Sequence, residues 1–99
     1  MAIVDMSISG SRNAEVKAAS SEIVKNNVEQ SGFKYITTPM STIVEGDLDE
    51  IMKLVRKIQE DIVAAGYGRV YSVIRIDDRR DKKGSFEQKL NSVNSKLNS

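Results

Sequence analysis

Residues 34–62, KYITTPMSTIVEGDLDEIMKLVRKIQEDI, change their hydrophobic period part-way along, and that change decides the fold. Residues 34–38 and 42–45 are short and rich in β-branched side chains. With Pro39-Met40-Ser41 between them they read as a β-hairpin with a three-residue or slightly longer loop. Asp47 then opens a helix. Its carboxylate can accept from the backbone N–H of Glu50 while Glu50 reaches back to the cap, a capping box. Leu48, Ile51, Met52, Val55, Ile58 and Ile62 form an apolar stripe at helical spacing. On the outer face Asp49 with Lys53, Arg56 with Glu60 and Lys57 with Asp61 stand one helical turn apart, each pair contributing about 0.2–0.5 kcal/mol. Gly66 or Gly68 ends the helix.

The flanks complete the set. Residues 2–9 alternate, with Val4, Met6 and Ile8 facing one way and Ile3, Asp5 and Ser7 the other, which is the period of a strand with unlike faces. After the breaker GSRN, residues 14–30 carry Val16, Ala19, Ile23, Val24 and Val28 near helical spacing, and Ser31-Gly32 supplies a stop. Residues 69–77 form the longest strand, with Val70, Ser72, Ile74 and Ile76 opposed to Tyr71, Val73, Arg75 and Asp77. Beyond a charged loop, Ser85 and Gln88 can cap a third helix striped by Phe86, Leu90, Val93 and Leu97. The order predicts an α+β protein: a ferredoxin-like β-α-β-β-α-β sandwich with an added C-terminal helix, residues 1–99 forming one domain. Four antiparallel strands then carry two helices on one face.

Composition narrows the chemistry. Across 99 residues, 15 basic and 14 acidic side chains leave a formal net charge of +1, too little to steer the protein onto nucleic acid or an anionic membrane. Neither cysteine nor histidine is present, so disulfides, thiolate zinc sites, thiol nucleophiles and imidazole bases are excluded. No apolar run is long enough to cross a bilayer and the N-terminus has no basic region ahead of an apolar one, so a cytoplasmic location is expected. A chain this short buries roughly 60–70% of its unfolded surface, and burial by a second subunit would help it.

If both long helices cover one face of the sheet, alternation assigns residues to the other. Ile3, Asp5, Ser7, Tyr71, Val73, Arg75 and Asp77 are expected there, joined from the hairpin by Tyr35, Thr37, Thr42 and Val44. Such a face is apolar enough for a partner yet studded with hydroxyls and charge. Arg75 and Asp77 could also simply meet water, or Arg75 pair with Asp5. The run of residues 78–83 reads as a solvated loop, or as a place where Arg79 or Arg80 pairs between subunits or closes a site. Gly46 is most simply a turn into the helix, and Phe86, Leu90, Val93 and Leu97 need cover from the sheet edge, the helix layer or a neighbouring subunit.

Particular strings carry a resemblance. MAIVDMSIS, YITTPMSTIVEGDLDE, VIRIDDRRDKK and GSFEQKLNSV, in that order over almost the whole chain, resemble the small prokaryotic thiamine-binding family, also called YkoF-like and long known only as an uncharacterised protein family. Ser41 stands where the family often has glycine, and GSRN lacks a proline often found there. The resemblance implies a ferredoxin-like protomer, sheet-to-sheet homodimers or homotetramers, and binding of thiamine or its hydroxymethylpyrimidine part without chemistry on it. By position it implies that Ser7, Thr37, Thr38, Met40, Thr42, Glu45, Arg75 and Asp77 line the pocket. Ser41 is then expected to bear on the hairpin's approach to the ligand, not on the fold.

The residue chemistry is compatible with that expectation. Ser, Thr and carboxylate groups can match the donors and ring-nitrogen acceptors of an aminopyrimidine, whose flat ring can pack on Tyr35, Tyr71 or Met40. A thiazolium cation would be favoured by Asp77, Glu45 or an aromatic face, and a phosphorylated form would need a cationic clamp such as Arg75 or Arg79. No cofactor, metal or catalytic residue is expected, and the partners are a small ligand and further copies of the chain. Two other readings stand beside this one: an oligomer whose open face serves assembly alone, and an enzyme using Asp77 and Glu45 as an acid–base pair.

Overall fold

Ala2, Val4, Met6 and Ile8 occupy alternate positions of β1 (Ala2–Ser11), and all four are buried. The computed structural model describes residues 1–11 and 19–80. After β1 come α1 (Ser20–Ser31), β2 (Lys34–Thr37), β3 (Thr42–Gly46), α2 (Leu48–Ala64) and β4 (Arg69–Asp78). The start of the first expected helix, including Val16, and the whole C-terminal helix with its Ser85 and Gln88 cap lie outside the described residues.

The strands form one antiparallel sheet in the order β2-β3-β1-β4. This is the α+β, ferredoxin-like arrangement that the alternating periods predict. Both helices pack on one face, where Val24 and Val28 of α1 and Ile51, Leu54, Val55, Ile58 and Ile62 of α2 close over the buried side of β1 and Val44 of β3. Among the described residues no helix is long and apolar enough to cross a membrane.

Two details of α2 differ from the spacing argument. Leu54 is buried and Met52 is 39% exposed, because the stripe meets the sheet one position further round the helix. Asp47 does accept from the Glu50 amide at 3.1 Å, but the Glu50 carboxylate turns to Lys53 at 3.0 Å, so Lys53 is taken from Asp49 and the reciprocal arm of the capping box gives way to an ion pair. Arg56–Glu60 and Lys57–Asp61 form as expected.

The larger correction concerns the hairpin. Thr42 and Val44 pair with Met6 and Val4, and Thr37 and Tyr35 pair with Thr42 and Val44. Residues directly opposite in an antiparallel pair share a face. Tyr35, Thr37, Thr42 and Val44 therefore lie on the helix side, and Lys34, Ile36, Ile43 and Glu45 take the open side. Burial decides this register: a one-residue slip would exchange fully buried Val44 for Ile43 or Glu45 in the core.

Candidate functional site

β1 is longer than the strand beside it. It pairs with β4 along its whole length but with β3 only as far as Met6, where β3 begins at Thr42. Beyond Met6 its other edge has no strand opposite among the described residues. Here α1 and the β2–β3 turn stand apart, and between them lies a cavity of about 610 Å³, within the range of about 300–1,000 Å³ usual for small-molecule sites. Buried Met6, Ile8, Val24 and Val28 make an apolar floor. Hydroxyls of Tyr35, Thr37 and Thr42 come from the strands, and Ser21, Glu22, Lys25 and Glu29 from one face of α1.

The turn at residues 38–41 is held by one hydroxyl. Thr38 Oγ1 accepts from the amides of Ser41 (3.0 Å) and Met40 (3.3 Å), and donates to Ser41 O at 3.0 Å or meets Ser41 Oγ at 3.2 Å. The Thr38 amide donates to Ser41 O at 2.8 Å. This knot presents Met40, 84% exposed, at the tip. No non-glycine residue among those described has positive φ, so serine fits the backbone at position 41 without strain, and its side chain joins the knot.

Of the eight residues expected at the site, Thr37, Thr38, Met40 and Thr42 line this groove together with Ser7. Ser7 belongs to two surfaces: its partner Val73 puts it on the open face, and the end of β3 exposes it to the groove. Glu45, Arg75 and Asp77 are on the open face only. There Glu45 and Asp77 flank Ile3 in one row, while Asp5 and Arg75 face each other in the next. Glu45 is 8% exposed, and Arg75 Nε stands 3.4 Å from Asp5 Oδ2. The remaining Asp5 oxygen, Oδ1, is buried without a hydrogen-bond partner.

Thus the eight split between the two sides of the sheet, as the hairpin register dictates. The sequence reading missed the α1 face of the groove, having treated that helix as core alone. The polar positions Ser21, Glu22, Lys25 and Glu29, gathered on one side of it, were the available signal.

A sequence profile of the family described as thiamine-binding protein matches residues 2–94. The chain belongs to that family. The UPF0045 protein YqgV of Bacillus subtilis is 39% identical over 98% of both chains. Among solved structures, a domain of unknown function from Bacillus cereus superposes with a TM-score of 0.82 at 25% identity, covering 90% of this chain and 86% of that one. A hypothetical protein of Methanocaldococcus jannaschii gives 0.75 at 32%, covering 94% and 95%. A Thermotoga maritima protein described as a candidate in thiamine biosynthesis or salvage shares the fold, with a TM-score of 0.78 at 20% identity over 93% and 97%. The family membership covers both elements of the groove, hairpin and α1, and both long strands of the open face.

Proposed function

We propose that this protein binds thiamine, or its hydroxymethylpyrimidine part, without transforming it, and that the groove between α1 and the hairpin is the ring site. The observation that carries this reading is the groove itself: an apolar floor walled by the hydroxyls of Tyr35, Thr37 and Thr42, a match for a flat ring edged with donors and acceptors. Family membership supports the ligand class. A role in thiamine handling or transport in the cytoplasm follows from that ligand.

The same reading places a second copy of the chain on the open face, as a homodimer or homotetramer. Support comes from Tyr71 and Val73, two large apolar side chains exposed on that face. An acid–base role for Glu45 and Asp77 is not favoured. They are two strands apart, roughly 10 Å by strand spacing, and on the opposite side of the sheet from the groove hydroxyls.

Titration calorimetry on ligand-stripped protein tests the proposal. Thiamine or hydroxymethylpyrimidine is expected to give saturable heat that is reduced in Thr37→Val and Thr42→Val, with both variants retaining the wild-type melting profile. Absence of heat and of any thermal shift with either compound at millimolar concentration would sink it.

A further inference from the structure

We propose that the groove selects an unphosphorylated, cationic heterocycle and rejects its phosphate esters. The inference rests on the groove being the ligand site, and concerns which charge state it takes. Two observations carry it. First, among the described residues the charged side chains lining the groove are Glu22, Lys25 and Glu29, all exposed on one side of α1, so two carboxylates stand against one ammonium there. Their field favours a cation and opposes a phosphate brought alongside it.

Second, the turn at residues 38–41 has no backbone N–H left to cradle a phosphate. Pro39 lacks an N–H, the Thr38 amide is bonded to Ser41 O, and the Met40 and Ser41 amides both point to Thr38 Oγ1. A phosphate-binding turn works by leaving such amides free for the anion. The two arginines expected as a clamp, Arg75 and Arg79, are elsewhere. Arg75 is across the sheet beside Asp5, and Arg79 follows Asp78, whose partner Ala2 marks the end of the sheet away from the groove.

The test compares thiamine, thiamine monophosphate and neutral hydroxymethylpyrimidine by calorimetry at low ionic strength, on the wild type and on E22Q/E29Q. In the wild type, thiamine is expected to bind at least about tenfold more tightly than its monophosphate. In E22Q/E29Q that ratio should fall to about threefold or less, with the affinity for neutral hydroxymethylpyrimidine shifting by less than that for thiamine. Raising salt on the wild type should narrow the same gap without any substitution. Equal binding of the two thiamine forms, tighter binding of the monophosphate, or a ratio that neither salt nor the double variant moves would overturn the selectivity while leaving the groove as the site. If none of the three compounds binds, the site assignment itself falls and the selectivity falls with it.

Discussion

Single residues show where sequence reasoning is strong and where three-dimensional contact takes over. Gly46, legible as a turn into α2, has a different duty: it is buried, and a Cβ there would meet the Phe33 ring at 2.7–2.8 Å. Gly10 does the same for Tyr67, whose ring rests against it and whose hydroxyl accepts from the Ser20 amide at 3.0 Å. Neither role can be read from spacing, since each depends on an aromatic ring distant in sequence. Gly10→Ala should lower stability by about 1–3 kcal/mol in urea unfolding, the usual cost of overpacking. Gly46→Ala should cost less, because Phe33 is only partly buried and can yield, whereas Tyr67 is 5% exposed and pinned through its hydroxyl. Ser41 needs no left-handed backbone and holds a hydrogen bond to Thr38. Replacing it, Ser41→Gly, is expected to destabilise by about 0.5–1 kcal/mol through added chain freedom; an unchanged or raised midpoint would show that the Thr38 knot does not depend on it.

Between elements, periodicity found the helices and strands, but it could not see the polar joint that locks the helix pair. Lys57 and Asp61 read as one more surface pair on α2, and they do bond at 2.8 Å. Asn27 of α1, buried among apolar neighbours, completes the joint: its amide nitrogen donates to Ile23 O (2.9 Å) and Asp61 Oδ2 (3.0 Å), and its oxygen accepts from Lys57 Nζ (2.7 Å). Asn27→Ala should therefore cost about 1–3 kcal/mol, more than its truncated area alone implies, because it strips partners from two charged groups. Bonds from Lys57 and then Asn27 hold the Asp61 carboxyl below its ordinary 3.8. A depressed folded-state value stabilises the fold above the unfolded value, and that contribution is lost as pH falls through the folded one. The gap in stability between wild type and Asp61→Asn should accordingly be widest above about pH 5 and close below about pH 4. A gap that stays constant across a series of chemical melts over that range would contradict the linkage. The hairpin is the element where alternation misled, since β2 and β3 are too short and too uniformly β-branched to declare their inward face; only pairing with Met6 and Val4 does so.

At the scale of the whole molecule, the sheet's two sides carry different side chains, and one of them was clearly legible in the sequence. The long strands β1 and β4 alternate strongly enough to put Ile3, Asp5, Ser7, Arg75 and Asp77 on the open face, where the structure has them. The groove was not legible, because it arises from a mismatch in strand lengths and from the reversed hairpin face, neither of which is a pattern in any single segment. The open face itself carries the last prediction. Val73 is 45% exposed and Tyr71 55%, Ile3 is nearly covered, and Asp5 Oδ1 is sealed from water with no donor. A second copy laid on this surface would bury the exposed apolar groups of Val73 and Tyr71. Sedimentation velocity on the full chain should show a dimer or larger assembly at micromolar concentration. Val73→Asp should shift it toward monomer by placing a bare carboxylate close to Asp5 and in the middle of the contact. Far-ultraviolet circular dichroism should stay unchanged in that variant, because Val73 lies outside the core under the helices. A wild type that sediments as a monomer at 100-fold higher concentration would leave the open face to solvent and end this reading.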